Sequence, residues 1–88
     1  MPWQINFIPH AAKQLRKLDS EIQKRILQFL HLRIINTPEP QKLGKALVGT
    51  HQDLFRFRIG KYRILCHICK ENNTILIVAV GHRNYIYN

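Results

Sequence analysis

The sequence predicts one α+β domain, spanning residues 1–88, in which two helices cover one face of a sheet that contains an antiparallel meander. Three observations predict this class. One alternating apolar segment opens the chain, two segments with helical periodicity follow, and three strand-like segments separated by short turns come last. The predicted order is therefore an N-terminal strand, a helical hairpin and a three-stranded meander.

The first strand and the first helix precede Ser20. Trp3, Ile5 and Phe7 alternate with polar residues, as in a half-buried strand, and Pro9 suits the first turn of a helix. Apolar residues then recur at helical spacing until the Asp19–Ser20 pair, where we expect the first helix to end. These residues are Ala11, Leu15 and Leu18.

The second helix is predicted to begin at Ser20, because Ser20 and Gln23 have the spacing of a capping box. A broad apolar stripe follows, which we expect to face the sheet together with the stripe of the first helix. The stripe consists of Ile22, Ile26, Phe29 and Leu30, and extends to Ile34.

Two prolines between Asn36 and Pro40 end the second helix, and the segment 41–52, which has two glycines, is predicted to be a loop. Two short turns, at Gly60–Lys61 and Asn72–Asn73, then separate three strands and predict an antiparallel meander. The predicted strands are Leu54–Ile59, Tyr62–Lys70 and Thr74–Val80.

The turn at Gly60–Lys61 fixes the register of the first hairpin, and this register separates apolar from charged residues. The apolar pairs are Ile59 with Tyr62, Phe57 with Ile64, and Phe55 with Cys66. The opposite face pairs Arg58 with Arg63 and Arg56 with Leu65. A slip of one residue would move the arginines into the core, so the sorting itself supports this register. We call the surface that carries Arg56, Arg58 and Arg63 the arginine face.

Two interpretations of the arginine face remain open on these residues alone. It is either a solvated basic surface or a phosphate-binding site. Guanidinium groups match phosphate oxygens in bidentate geometry, and an anion relieves the repulsion between arginines that are paired across two strands. Because the helices claim the other side of the sheet, we expect the arginine face to be open.

The overall charge favours a polyanionic partner. Lys and Arg total 14 against 5 for Asp and Glu, a formal net charge of +9, which attracts nucleic acid first and an anionic membrane surface second. The longest apolar run, Ile75–Val80, is far shorter than the roughly 20 residues of a membrane span, and the N-terminus lacks a secretory signal pattern. We expect a soluble cytoplasmic protein without membrane contact.

Neither the cysteines nor the carboxylates predict a metal site. Cys66 and Cys69 differ by an odd number on one strand, so they point to opposite faces. Two-metal nucleases need converging carboxylates, whereas the acidic residues here are scattered. They are Asp19, Glu21, Glu39, Asp53 and Glu71. A metal-free route exists for RNA, in which the 2′-OH attacks the adjacent phosphate and the protein stabilises the extra charge.

Two of the five histidines are candidates for moving protons. His82 stands beside Arg83 just after the last predicted strand, and His67 has the strand parity of Arg63. A structural role for His67 is an equal alternative. The remaining histidines are expected to be solvated or structural, and they are His10, His31 and His51.

Two segments resemble the RelE/ParE toxin superfamily, and its RelE branch in particular. They are LFRFRIGKYRIL, residues 54–65, and VAVGHRNYIY, residues 78–87. The opening strand, both helices and the Leu47–Gly49 element also sit where that family has them, so the resemblance covers almost the whole chain.

The resemblance implies the toxin of a type II toxin–antitoxin system. Its expected activity is ribosome-dependent cleavage of mRNA in the A site, by 2′-OH attack and without a metal or cofactor, leaving a 2′,3′-cyclic phosphate. The implied partners are the ribosome, mRNA and a cognate antitoxin. The free toxin is expected to be a monomer that forms a hetero-oligomer with the antitoxin.

Carried over residue by residue, the resemblance implies phosphate contacts or transition-state stabilisation by Arg56, Arg58, Arg63 and Arg83. Tyr87 matches the family's C-terminal tyrosine, which is thought to deprotonate the 2′-OH or orient the base. The best-studied RelE branch has lysines at the positions of Arg56 and Arg58, and an arginine is a poor proton donor. His82 is the alternative general acid. Further RNA contacts are expected from Lys42, Lys45, Lys61 and His67.

Two other functions remain as alternatives. One is a ParE-like toxin that inhibits DNA gyrase by binding, although that branch generally lacks the arginine and tyrosine set present here. The other is a basic RNA-binding module without activity. Simple phosphate binding predicts steep salt dependence and little loss from a single Arg→Ala change, whereas catalysis predicts that one such change stops cleavage.

Overall fold

The computed structural model describes residues 3–46 and 54–82. Its strands are β1 (Gln4–Phe7), β2 (Lys45–Ala46), β3 (Phe55–Ile59), β4 (Tyr62–Cys69) and β5 (Thr74–His82), and its helices are α1 (Pro9–Arg16) and α2 (Ser20–Phe29). The strands form one sheet in the order β1-β5-β4-β3-β2. The predicted α+β class and the order of strand, helical hairpin and meander are confirmed.

The core lies between the helices and one face of the sheet. Ala11 and Leu15 of α1 and Ile26 of α2 pack with apolar residues of the three central strands. The strand residues in this cluster are Phe57, Ile64, Cys66, Ile75, Ile77 and Val80. Phe29 of α2 meets Phe57 edge-on, with ring centroids 5.9 Å apart, so α2 sits directly over β3.

Strand β1 pairs with β5 in parallel, with Gln4 opposite Thr74 and Phe7 opposite Ile77. The first and last described strands are therefore neighbours, and the helical hairpin connects β1 to the meander. No local pattern in the sequence indicates this long-range pairing.

The predicted capping box is wrong. The N-cap of α2 is Asp19, which makes no side-chain cap hydrogen bond, and Ser20 is already helical. Gln23 instead donates from Nε2 to the carbonyls of Leu18, at 2.7 Å, and Arg16, at 3.4 Å. It thus satisfies orphan carbonyls at the end of α1 and stabilises the helical hairpin.

The helical segment extends to Ile34, as the predicted stripe indicates, and part of the predicted loop beyond it has regular structure. A π-helical turn, Leu30–Ile34, continues α2 and buries both of its end residues. The predicted loop contains a short 3₁₀ turn, Pro40–Leu43, and the two-residue strand β2. Gly44 packs so closely on β3 that an added Cβ would lie 2.6 Å from the carbonyl oxygen of Arg56, which explains the need for glycine there.

The predicted register of the β3–β4 hairpin is confirmed at every pair, including Arg58 opposite Arg63 and Arg56 opposite Leu65. Gly60 has a φ of 57°, the positive value that the first loop position of a tight hairpin requires. The two thiols also divide as predicted, since Cys66 is fully buried in the core and Cys69 belongs to the opposite face of β4. No helix in the described ranges is long and apolar enough to cross a membrane.

Candidate nucleic-acid interface

The arginine face is a cluster of cations drawn from three neighbouring strands. Arg58 of β3 lies directly opposite Arg63 of β4, and Arg56 lies directly opposite Lys45 of β2. Two pairs of like charges thus stand side by side on one small surface. Like charges directly opposite each other destabilise a sheet, so packing alone does not account for the pairing of Arg58 with Arg63.

Arg63 is held firmly beneath this surface. It is 7% exposed, and its Nη1 donates to the carbonyl oxygens of Gly60 and Tyr62, both at 3.0 Å. Arg58 across the strand is exposed. The hairpin turn therefore fixes one guanidinium in place, while the paired arginine is exposed to a ligand.

An open cleft of about 260 Å³ extends the arginine face toward the β2 edge. Four cationic side chains line it, together with Leu43 and Gly44. The cationic residues are Lys42, Lys45, Arg56 and Arg58. Lys42 also forms an exposed ion pair with Glu39, with Nζ and Oε2 2.6 Å apart. This pair lowers the pKa of Glu39 and raises the pKa of Lys42, so Lys42 stays protonated at the rim.

A β-bulge in β5 decides which residues join the arginine face. Cys66 is opposite Ile77, but Leu65 is opposite Ala79, so Val78 is an extra residue. The extra residue reverses which side chains face the helices beyond this point. Val80 enters the core, and Gly81 lies opposite Arg63 on the arginine face.

The bulge also places His82 away from the arginines. His82 is the last residue of β5 rather than a residue after it, and it lies opposite Tyr62. The two rings meet edge-on, with centroids 5.7 Å apart. Tyr62 packs against the core, so His82 occupies the helix side of the sheet. This position does not suit a proton donor to a phosphate on the arginine face.

The other predicted RNA-contacting residues and the remaining described histidines lie at different distances from Arg63. His67 has the parity of Arg63 and is half-buried, but four residues along a strand separate the two by roughly 13 Å. Lys61 is exposed in the hairpin turn next to Arg63. His10 and His31 are exposed on the helical side of the chain, outside the site.

The described acidic residues are scattered and are not grouped on the arginine face. Asp19 and Glu21 are at the start of α2, Glu39 pairs with Lys42, and Glu71 is in the turn between β4 and β5. Within residues 3–46 and 54–82, no three His, Cys, Asp or Glu side chains are grouped to hold a metal ion. Several predicted residues lie outside these ranges, namely Arg83, Tyr87, His51, Asp53 and the Leu47–Gly49 element.

Sequence reasoning missed one residue that connects α1 to the site. The side-chain oxygen Oε1 of Gln14 accepts a hydrogen bond of 2.9 Å from the backbone N–H of Val80, next to the bulge. Nothing in the local sequence distinguishes this glutamine from the other polar residues of the helix.

The sequence of this chain matches a known protein family. Residues 5–87 match a family model described as the ParE toxin of the type II toxin–antitoxin system, parDE. The chain belongs to this toxin family. It is therefore a toxin of the RelE/ParE superfamily, as the resemblance in the hairpin and the C-terminal segment indicated.

Relatives with established names are similar over almost their whole length. Toxin RelG of Mycobacterium tuberculosis is 33% identical over 87 residues, which cover 99% of this chain and 98% of that protein. The toxin–antitoxin complex RelBE2 of the same organism contains a chain that is 31% identical, with a TM-score of 0.86 over 94% of this chain and all of that one.

An archaeal RelE–RelB complex from Pyrococcus horikoshii shows the same likeness at greater distance. It contains a chain 26% identical, with a TM-score of 0.76 over 97% of this chain and 99% of that one. The isolated RelE toxin of Escherichia coli, at 21% identity and a TM-score of 0.73 over 91% of this chain and 83% of that one, shows the shared fold.

Proposed function

We propose that this toxin is a RelE-like endoribonuclease that cuts mRNA on the ribosome by directing the RNA 2′-OH to the adjacent phosphate, without a metal. One observation carries the proposal: Arg58 and Arg63 face each other across β3 and β4, and Arg56 with Lys45 continues the same cationic surface. An anion bound at this surface would relieve the repulsion between Arg58 and Arg63.

The electrostatic role follows from the different burial and hydrogen bonding of the two paired arginines. Attack by the 2′-OH produces a phosphorane-like transition state that carries extra negative charge. The two hydrogen bonds of Arg63 keep its charge beneath this group without reorganisation, and exposed Arg58 adds donors from the side. Removing one preorganised donor of this kind typically costs about 10²–10³ in rate.

Proton transfer in this proposal falls to residues other than the described arginines. A guanidinium stays protonated and is a poor general acid, and His82 lies on the helix side of the sheet. We assign deprotonation of the 2′-OH to Tyr87, and further charge stabilisation to Arg83, from their match to the family pattern. A pH–rate profile with a titration near neutral pH that His82→Ala removes would overturn the exclusion of His82.

Recognition of RNA and of the ribosome uses the remaining cations. RNA is the expected substrate because the attacking group is the 2′-OH, which DNA lacks. Lys42 and Lys45 line the cleft next to Arg56, and Lys61 extends the basic surface around the hairpin turn. The net charge of +9 favours association with ribosomal RNA, so binding should weaken steeply with salt.

The proposal includes a cognate antitoxin that covers the basic surface. The similar chains of Mycobacterium tuberculosis and Pyrococcus horikoshii were solved in toxin–antitoxin complexes. The expected partner segment is amphipathic and acidic, and it binds a free toxin that is monomeric. Co-expression with the product of the neighbouring gene should yield a stable complex. A toxin that always purifies alone from such cells contradicts this part.

Primer extension on an mRNA in a purified translation reaction tests the activity directly. The wild type should cut at in-frame codons only when ribosomes are present. Arg58→Ala should lower the cleavage rate by about 10²-fold or more while the fold is retained. The matched control is Arg16→Ala on α1, which removes the same charge from the other side of the molecule and should leave the rate nearly unchanged. An unaffected rate in Arg58→Ala contradicts the proposed role of the pair.

The description of the matching family as a ParE toxin favours one second candidate, inhibition of DNA gyrase. A supercoiling assay separates the two functions. Folded wild-type protein that leaves mRNA intact on ribosomes but inhibits supercoiling would replace the nuclease proposal. The arginine face would then bind its target without cutting it.

A further inference from the structure

We propose that Gln14 is a positioning residue for the arginine face, acting through the bulge in β5. The inference rests on the proposed nuclease function, because it concerns the geometry around Arg63. Gln14 lies on α1, on the other side of the sheet, and reaches the backbone of Val80 with its side-chain oxygen at 2.9 Å. The sheet separates it from Arg56, Arg58 and Arg63, which lie on the other face.

Val80 needs this acceptor because β5 loses a neighbour halfway along its length. Pairing with β1 ends at Phe7 opposite Ile77, and the N–H of Ile8 then bonds to the carbonyl of Ile77. Beyond Ile77, β4 is the one described strand that flanks β5. Val80 is 2% exposed, so water does not reach its N–H. The Gln14 oxygen takes the place of a carbonyl from the missing strand.

The bond lies at the point that sets the composition of the arginine face. Val78 is the extra residue of the bulge, and the anchored residue is two positions further on. Without the extra residue, Val80 would stand opposite Arg63 and His82 would point to the arginine face. With it, Gly81 stands opposite Arg63, so this position of β5 adds no side chain next to the guanidinium.

Two sets of hydrogen bonds therefore fix the surroundings of Arg63. Hydrogen bonds from the guanidinium to the hairpin turn hold it from one strand, and the Gln14 bond holds the strand that passes beside it. A bulge interrupts the ladder of the strand and bends it, so an anchor next to it controls the position of Gly81. A shift there moves the donors around the transition state, which lowers the rate more than it weakens RNA binding.

The test compares Gln14→Leu with Gln14→Glu in single-turnover cleavage on ribosomes. Leucine has a similar size but accepts no hydrogen bond, whereas glutamate keeps the acceptor at the same reach. Gln14→Leu should lower the maximal rate by roughly tenfold to a hundredfold and leave the half-saturating toxin concentration nearly unchanged. Gln14→Glu should stay close to the wild type. Ile26→Val, a core change in α2, controls for a general loss of stability and should cut at the wild-type rate per folded molecule.

A second measurement follows the geometry without relying on cleavage. In NMR spectra, Gln14→Leu should speed exchange of the Val80 amide and shift the signals of Gly81 and of the Arg63 Nε–H, while Gln14→Glu leaves them in place. Wild-type cleavage by Gln14→Leu, equal loss in both variants, or unchanged Val80 exchange overturns the inference. A wild-type toxin that does not cut RNA refutes the proposed nuclease instead, and the NMR comparison still tests the placement.

Discussion

The two faces of the β3–β4 hairpin share one backbone ladder but differ in what their side chains contribute. On the helix side, Phe57 and Ile64 are opposite each other and fully buried. On the other side, the next pair along the ladder is Arg58 with Arg63. One face gains free energy by removing apolar surface from water, and the other loses some by bringing like charges together.

This contrast shows why the arginine face is best explained by a ligand. The helix side is sufficient to fix the register, since a slip of one residue would bury the arginines. The charged side can then carry a residue such as exposed Arg58, which does not help the fold. Stability and function are therefore separable on this hairpin. Substitutions on the helix side should mainly lower the free energy of unfolding, and substitutions of exposed residues on the arginine face should mainly lower the cleavage rate.

The largest expected contrast is in the reactivity of the two thiols of β4. Burial raises the pKa of the Cys66 thiol from its ordinary value of 9.0 to about 12, which lowers its thiolate fraction about a thousandfold. Iodoacetamide at about pH 8 should therefore modify Cys69 and spare Cys66 in the native protein, as read by mass spectrometry. A Cys69→Ser control should show almost no labelling.

The same burial predicts a dependence of stability on pH. The folded-state pKa of Cys66, about 12, is above its unfolded value of 9.0. The contribution of the neutral thiol is therefore complete below about pH 9 and is lost as the pH rises toward 12. Urea denaturation across this window should show a decline that Cys66→Ala reduces. An identical decline in that variant assigns the effect to other groups.

The next effect is the loss of a core ring on the helix side. Phe57→Ala should lower the free energy of unfolding by about 3–5 kcal/mol, because the cavity beneath Phe29 cannot fully collapse. Denaturant unfolding followed by circular dichroism measures it. Phe57→Leu, which keeps most of the volume, should lose much less, and equal stability of all three proteins contradicts the assignment of this face to the core.

A moderate effect is expected where β3 meets the segment before β2. Gly44→Ala places a Cβ 2.6 Å from the Arg56 carbonyl oxygen and 2.9 Å from Cδ1 of Phe57, so β3 must shift. Overpacking of this kind costs about 1–3 kcal/mol. Because the shift moves both faces of β3, the free energy of unfolding and the cleavage rate should both fall. The neighbouring change Lys45→Ala, which adds no atoms, should affect cleavage and spare the unfolding midpoint.

The smallest effect has the opposite sign. Arg58→Ala removes the repulsion with Arg63 and should leave stability unchanged or raise it by about 0.2–1 kcal/mol, although it lowers cleavage. The gain should shrink as salt increases, because salt screens exposed charges. Arg16→Ala should give no such gain. Clear destabilisation by Arg58→Ala would show that the arginine face supports the fold after all.

The sequence was informative wherever the decisive contacts are local. The Gly60–Lys61 turn allows two residues in the hairpin loop, and the alternation of Phe55, Phe57 and Ile59 with arginines leaves one register that buries only apolar groups. The opposite orientations of Cys66 and Cys69 follow from the same period of two. These features need no knowledge of the rest of the chain.

The N-cap of α2 could not be predicted from a local motif. Ser20 and Gln23 have the spacing of a capping box, but the N-cap residue is Asp19, and Gln23 bonds to the end of α1 instead. The geometry of the turn between the helices places the side-chain amide of Gln23 near the carbonyls of Leu18 and Arg16, and not in a capping box with Ser20.

His82 shows most clearly what the sequence by itself could not determine. Its position after an apolar run placed it near the arginines, and the single extra residue at Val78 moved it to the helix side beside Tyr62. The sequence alone determined the fold class, the hairpin register and the arginine face, because alternation and turn chemistry act over a few residues. Only the tertiary structure decided the parallel pairing of β1 with β5, the bulge and the Gln14 anchor, because these depend on contacts between segments distant in the chain and on buried backbone groups that must find partners.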